Sequence, residues 1–384
     1  MDSIGVLDAG GVIIRVMPAR RKNRRRSAGV GHASEVQIQQ VAEDAGVSAS
    51  TVSNVLNGRT KKMRPATFER VLESIRKLNY QPSHAARLLR TGQTPMLGLL
   101  VPSIANPFFS SLAREIDVAA QKRGYRLLLG NTYRDPDKER EFLDDLMRYG
   151  VRGAIVTSSL ANQSQYAPLI QRGLAMVSFD RQESPDDSLT IDYVSIDNFH
   201  AGHTATQHLI EQGHRAITYV TAPARTVSRV DRRSGYLAAM HEAGLDTSAE
   251  VIELGINTAF ADSEMAEVGK RVAAEIAAKQ QRPTGIVTMN DIIAIGLLAA
   301  LAERGLKVPD DISVVGIDDL YLDALMTPAL SSIRQPLPEI AETMLQRLAD
   351  RLANPGTPKS ERVFKSELVA RASVRAIAPP VSTR

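Results

Sequence analysis

The chain has 384 residues, of which 43 % are hydrophobic and 23 % charged, more than one small core accommodates, so two or three domains are expected. It has no cysteine, which excludes a disulfide framework, a thiolate metal site and a cysteine nucleophile, and no apolar run is long enough to span a bilayer. The net charge of +4 hides an asymmetry: residues 1–94 carry 16 Lys and Arg against 7 Asp and Glu, and the other 290 carry 31 against 36, which points to one basic segment that meets a polyanion.

Residues 1–35 combine a weak strand-like alternation, "MDSIGVLDAGGVIIRV", with the basic stretch "PARRKNRRRSAGVGHAS". Little fixed structure is expected there. Two readings stand: an arm that adds phosphate contacts, or the product of an upstream start codon. No apolar signal core precedes a cleavage site, so the cytoplasm is the expected compartment.

From Val36 the pattern is helical. Ile38, Val41, Ala42 and Ala45 share a face, and Gly46 can adopt the left-handed backbone that ends a helix. Ser48 stands at an N-cap position before "ASTVSNVL". In that second helix Val52, Val55 and Leu56 turn inward, while Ala49, Ser50, Ser53 and Asn54 turn outward. A loop with Arg59, Lys61, Lys62 and Arg64 leads to Pro65, and a third helix buries Phe68, Val71 or Leu72, Ile75 and Leu78. Three short helices with a tight turn between the first two fit a helix-turn-helix domain over residues 36–80. Residues 81–94 offer a helical window, Ser83–Arg90, too short to be stable alone, and they read as a hinge and linker.

From Met96 the rhythm becomes strand, loop, helix. Apolar strands are predicted at 96–102, 125–132, 151–159, 175–181, 192–198, 216–223, 251–255, 285–291 and 311–318, most of them separated by amphipathic stretches. Such strands belong to parallel sheets covered on both faces. Nine or ten strands suit two sheets in two lobes better than one sheet. Ligands of these folds lie at the carboxyl ends of strands, where Ser103, Asn106, Asp180, Asp197, Asn290, Asp291 and Asp318 cluster.

Several segments in order, "VAEDAGVSASTVSNVLNG", "YQPSHAARLLRTG", "VPSIANPFF", "GVRGAIV", "VSIDNFHAGHTATQHLIEQGHRAITYV", "RRSGY", "TMNDIIAIGLLAAL", "VPDDISVVGIDDL" and "TPALSSIRQP", together resemble the LacI/GalR family of bacterial transcription regulators. The match runs from about Val36 to about Arg375. It implies a helix-turn-helix head, a hinge helix and a two-lobed periplasmic-binding-protein-like α/β core over residues 95–376. The first lobe is expected at about 95–197 and 335–360, the second at about 198–333 and 361–376, with crossovers near Asp197, Arg334 and residue 360. The resemblance also implies a homodimer on a pseudo-palindromic operator. The tail "AIAPPVSTR" shows no leucine heptads, so no tetramer is expected.

Carried onto this sequence, the resemblance places base contacts at Ala49, Ser50 and Asn54 and backbone contacts at Thr51, Ser53 and Arg59. Hinge contacts fall to Ala86, Leu89 and Arg90, with Leu89 as a minor-groove wedge. Where many relatives have arginine, suited to guanine, Asn54 suits the N6/N7 edge of adenine. Arg64 replaces the usual serine cap before Pro65. For the effector the resemblance points to Asn106, Phe108, Asp180, Arg232, Asn290 and Asp318. Hydroxyl-binding carboxylates and amides, a forked guanidinium and one ring suit a sugar or sugar derivative. Structural roles compete: Asp318 and Asn290 as turn or cap residues, Phe108 as core, Arg232 as a lobe-closing ion pair or displaced by Arg233. The chain lacks tryptophan, a frequent sugar-stacking residue.

A solute-binding receptor would share the two-lobed core but leave the basic head without a task. A doubly wound enzyme lacks support, since neither G-x-G-x-x-G after the first strand nor a P-loop is present. His200, His203, His208 and His214 do not make a metal spacing. No cofactor, metal or catalytic residue is expected.

Overall fold

The computed structural model describes residues 36–56, 59–60, 63–80, 95–157, 164–181, 189–223, 226–255 and 264–377. The chain divides into two compact units, residues 1–83 and 84–384.

In the first unit, α1 (Ile38–Ala45), α2 (Ala49–Leu56) and α3 (Pro65–Lys77) surround a small core. Val41, Val52 and Val71 are fully buried at its centre, with Ala42, Ala45, Val55 and Tyr80 around them. Gly46 ends α1 with φ 64°, and the amide of Val47 closes back on Ala42 O at 2.9 Å. This positive φ turns the chain directly into α2. Ser48 Oγ accepts from Thr51 N at 3.3 Å, as its cap position predicts. Arg64 precedes α3 with no side-chain cap. Ser74, unremarked in the sequence pattern, is buried and donates to Val41 O at 3.1 Å, fixing α3 to α1. Lys77 Nζ donates to Asp44 Oδ1 at 2.5 Å across the same helices.

The second unit holds two six-stranded sheets. In chain order the first lobe builds β1 (Met96–Val101), α4 (Pro107–Lys122), β2 (Arg126–Asn131), α5 (Pro136–Arg148), β3 (Gly153–Val156), α6 (Ala167–Gln171), β4 (Ala175–Phe179) and β5 (Asp192–Ile196). The second lobe follows with α7 (Asn198–Glu211), β6 (Ile217–Thr221), α8 (Val227–Glu242), β7 (Glu250–Glu253), α9 (Met265–Ala278), β8 (Gly285–Thr288), α10 (Asp291–Glu303), β9 (Ser313–Asp318) and β10 (Ser331–Arg334). The chain then returns through α11 (Leu337–Ala353) and β11 (Glu361–Phe364) and ends with β12 (Glu367–Val369). The strand orders are β11-β5-β4-β3-β1-β2 and β12-β10-β9-β8-β6-β7.

All nine predicted strands form. The central ones, β3 to β6 and β8, are buried at every residue, as strands covered by helices on both faces must be. The short β10, β11 and β12 escaped the sequence pattern, and β12 pairs antiparallel with β10. The third crossover needs correction. β11 pairs parallel with β5, Glu361 opposite Tyr193, so residues 361–364 belong to the first lobe's sheet and not to the second. The chain crosses at Lys365–Ser366, between β11 and β12, because backbone hydrogen bonds to β5 hold it five residues longer than expected.

Helix packing sets the position of α8. A Cβ on Gly202 of α7 would stand 2.0 Å from Arg232 O, and one on Gly235 of α8 would stand 2.0 Å from Phe199 O. The two backbones touch where any side chain would part them.

Candidate DNA-reading surface and ligand cleft

On α2 the outward face divides in two. Ser50 and Asn54, four residues apart and therefore one turn apart, are exposed; Thr51 and Ser53 are half-buried. Ala49 is half-buried against the head's core, so its methyl group is shared between packing and the outward face. Ser48 Oγ lies 2.7 Å from Ser50 Oγ and 2.9 Å from Thr51 Oγ1, forming a hydroxyl cluster at the start of the helix. Arg59 is exposed, and its amide donates to Asn54 O at 2.9 Å, which holds Arg59 against the helix end. Lys61, Lys62, Ala86, Leu89 and Arg90 lie outside the described residues.

In the core, the six residues proposed for the effector all line one cavity between the lobes, together with Phe109, Arg134, Thr226, Ser228, Arg229 and Met289. The topology explains the convergence: all but Arg232 follow the carboxyl end of a strand or start the next helix, and Arg232 reaches the cavity from the second turn of α8. Asn106 and Asn290 cap α4 and α10, accepting from Phe108 N and Ile293 N at 3.1 Å each. Their side-chain carbonyls are thus committed to the helices, and the amide nitrogens are what they offer a ligand. Phe108 is both core and lining. It is 7 % exposed, stacks on Phe179 with centroids 6.3 Å apart, and meets Phe109 edge-on at 5.1 Å.

A chain of hydrogen bonds runs through the cleft. Asn198 Nδ2 donates to Asp180 Oδ1 at 2.5 Å, and Arg232 Nε donates to Asn198 Oδ1 at 2.8 Å. Arg232 Nη1 donates to Met289 O at 2.8 Å and reaches Asp318 Oδ1 at 3.5 Å; Gln335 Nε2 donates to the same oxygen at 2.8 Å. Asp180 and Asp318 hold positive φ angles of 59° and 135°, backbone conformations that cost free energy and recur at ligand clamps. Burial pushes the Asp318 carboxyl well above the usual carboxylate range, against the pull of Arg232. Between the competing arginines the structure chooses: Arg233 Nη1 lies 3.7 Å from Glu253 Oε2, outside the cavity lining.

Asn198 and Gln335 were not among the sequence candidates, yet both belong to the relay, and each sits at a crossover between lobes. Arg134 and Arg229 were missed too. Position after β2 and one turn before Arg232 were the available signals. The histidines serve separately: His214 is buried between Thr284 Oγ1 at 3.0 Å and Arg375 O at 3.1 Å, and His203 Nε2 pairs with Glu242 Oε2 at 2.9 Å.

Residues 37–83 match the model of bacterial regulatory proteins of the lacI family, and residues 206–374 match a periplasmic binding protein-like domain. A transcriptional repressor, PurR of Mannheimia succiniciproducens, is 32 % identical over 89 % of this chain and 99 % of its own. The chain belongs to the LacI family. Among solved structures, the lac repressor dimer bound to operator and an anti-inducer is 25 % identical, with a TM-score of 0.76 over 89 % of this chain and 99 % of that one. A LacI-family regulator from Enterococcus faecium with bound ribose is 26 % identical, with a TM-score of 0.64 over 74 % of this chain and all of that one. The LacI-family match covers the helices that carry Ser50 and Asn54, and the binding-protein match covers Arg232, Asn290 and Asp318.

Proposed function

We propose that this LacI-family chain is a DNA-binding transcriptional repressor whose operator affinity is set by a small, hydroxyl-bearing effector held between the core lobes. The observation that carries the reading is the single cavity that gathers Asn106, Phe108 and Asp180 from one lobe with Arg232, Asn290 and Asp318 from the other. Its volume is about 50 Å³, far below the few hundred Å³ of a small-molecule pocket, so a sugar-sized ligand enters only when the lobes part. Because Asn198 and Gln335 stand at crossovers and bond to Asp180 and Asp318, a ligand that competes for these carboxylates acts on the segments about which the lobes rotate. Differential binding to the two lobe arrangements is what an allosteric effector needs.

In the head, Ser50 and Asn54 would read base edges with Ala49 beside them, and Thr51, Ser53 and Arg59 would hold phosphates. Ala86, Leu89 and Arg90 are assigned to the hinge contact on the motif alone. A second copy would dock on the outward face of α10. There Ile295, Ala299 and Ala302 form an apolar groove with Leu306 and Met326, beside Leu325, which is 74 % exposed. A two-fold dimer would present two heads to a pseudo-palindromic site.

The test is gel retardation of the chain's own promoter fragment. The native protein should shift it at low salt and lose affinity steeply as salt rises, and a sugar that raises the melting temperature should change the shift. A protein that shifts no fragment of its own promoter region, with or without such a ligand, overturns the reading.

A further inference from the structure

The loop that leaves β9 starts with the cleft residue Asp318 and then turns out to the surface. Asp318 and Asp319 hold positive φ angles of 135° and 50°, and two successive non-glycine residues keep such backbone only where surrounding structure imposes it. Three bonds impose it here. The Asp319 amide donates to Ser332 Oγ at 3.0 Å, the Leu320 amide donates to Asp291 Oδ2 at 3.2 Å, and Ser332 Oγ donates in turn to Asp291 Oδ1 at 2.7 Å. The Asp291 carboxyl, fully buried at the start of α10, therefore holds the loop both directly and through Ser332. Gly316 lets it come up against β9, since a Cβ there would stand 1.9 Å from Asp291 Oδ1.

Asp323 faces this carboxyl from the far end of the same loop. It is fully buried, its amide donates to Leu320 O at 3.0 Å, and its carbonyl accepts from Leu330 N at 2.9 Å. Neither of its carboxyl oxygens is bonded by an N–H or hydroxyl donor, the neighbouring Leu320 amide being committed to Asp291. What it hydrogen-bonds is the Asp291 carboxyl. Two ionised carboxylates are acceptors only, so that bond requires a proton between them. The surrounding charges are engaged elsewhere. Asp319 is bonded to Arg334 and Arg371; Arg334 also pairs with Glu367, and Arg371, which acts on Asp323 as well, donates to Leu330 O. Asp318 is met by Arg232 and Gln335, with Asp180 and Asp291 acting on it. Among the described residues no lysine or arginine pairs with Asp291 or Asp323. Burial, joined at Asp323 by the Asp291 charge, raises both carboxyls above the usual carboxylate range.

We infer that Asp291 and Asp323 are positioning residues for the cleft: one proton shared between them clamps the loop 318–323 and holds Asp318 in the left-handed backbone that brings it to the cavity. Loss of that proton sets two carboxylates against each other in a buried site, where like charges repel strongly. Asp291 is fixed in α10 and Ser332 in β10, so the loop is the part that gives way. The clamp is complete while the pair keeps its proton and is lost as pH rises through the raised titration of the pair. Binding through Asp318 then carries the same pH dependence. That consequence rests on the cleft being the effector site; the clamp itself does not.

The experiment follows hydrogen exchange by mass spectrometry in the full native chain, Asp323→Asn and Ser332→Ala, comparing chains at the same pH so that intrinsic exchange cancels. In Asp323→Asn the side-chain amide replaces the donor that the shared proton provides. At pH about 6 this variant and the native chain should protect the peptide around Asp319 and Leu320 alike; at pH about 9.5 the native chain should exchange there roughly tenfold faster while the variant keeps its protection. Ser332→Ala, which removes the bridge alone, should exchange faster there at both. Native and Asp323→Asn curves that coincide at every pH overturn the inference. So does an alkaline loss spread evenly over the second lobe, the mark of general destabilisation. Should Asp323→Asn fail to fold, infrared spectra of the native chain decide: a protonated-carboxyl band at pH about 8 supports the shared proton, and its absence overturns it. Neither readout needs a ligand, so a clamp that holds in a chain whose cleft takes no sugar defeats the effector reading alone.

Discussion

Asn54 and Ser50 show how much a single side chain can decide. Both are exposed one turn apart on α2, and the polar group at 54 has the donor and acceptor spacing of adenine's major-groove edge. A randomised-operator selection with the native protein should return A·T opposite this position, and Asn54→Arg should move the preference toward G·C. Each good bidentate pair discriminates by about 1–3 kcal/mol, so the change should be visible in a competition assay; guanine selected by the native protein would defeat the assignment. In the core, Arg232 has a comparable place. Arg232→Gln removes the donor that joins Asn198 to Asp318, leaving both as buried groups short of a partner. Calorimetry should show ligand affinity lowered at least tenfold in this variant, while operator binding without ligand persists; unchanged affinity would place the ligand elsewhere.

At the level of elements, the pairing of α7 with α8 positions the middle of the relay, Asn198 at the start of one helix and Arg232 within the other. The contact depends on Gly202, where a methyl group would fall 2.0 Å from Arg232 O. Gly202→Ala should therefore force α8 away from α7. The expected outcome is a loss of about 1–3 kcal/mol of stability, with weakened ligand binding beyond what the stability change explains. Chemical denaturation and ligand titration on the same preparation separate the two. A Gly202→Ala chain of native stability and affinity would mean that the helices slide apart at little cost. The unusual α3, started by Arg64 without a side-chain cap, relies instead on Pro65 and on Ser74 bonded to Val41 O. Local sequence would have placed that cost on the helix end, and a tertiary bond offsets it.

For the whole molecule, a buried carboxyl pair makes stability depend on pH. Asp323 is buried in the loop after β9, and Asp291, which accepts from Ser332 Oγ at 2.7 Å and Leu320 N at 3.2 Å, stands against it. Burial first, then the neighbouring Asp291, pushes the Asp323 carboxyl far above the usual carboxylate range; burial also raises Asp291. Asp319 faces the pair, and it is bonded to Arg334 and Arg371. A native carboxyl that keeps its proton where the unfolded chain has lost it makes unfolding release a proton. Stability then falls as pH rises from the ordinary carboxylate value toward the raised one. Asp323→Asn should flatten this slope, raising the melting temperature at pH about 8 more than at pH about 5; equal effects at both would show that the pair is not protonated. At the same scale, Ala299→Asp places a charge in the apolar groove of α10. It should convert the proposed dimer to monomers in sedimentation and weaken operator binding with them.

The sequence by itself determined the head, the strand-helix alternation and the site candidates at strand ends, because these follow from local rules. Helical spacing put Val52 and Val55 inward and Ser50 and Asn54 outward, and the structure places all four so. Strand-end position, with the family motif, singled out Asn106, Asp180, Asn290 and Asp318, and the fold brings them to one cavity. Only the tertiary structure decided the rest. That β11 belongs to the first sheet depends on pairing with β5, more than 160 residues earlier, and a four-residue strand carries no pattern to announce it. That Arg232 and not Arg233 enters the cleft depends on the rotation of α8 set by two glycines. Arg134 and Arg229 escaped notice for the same reason: they lie on different lobes, and only the folding of one lobe over the other brings both into one lining.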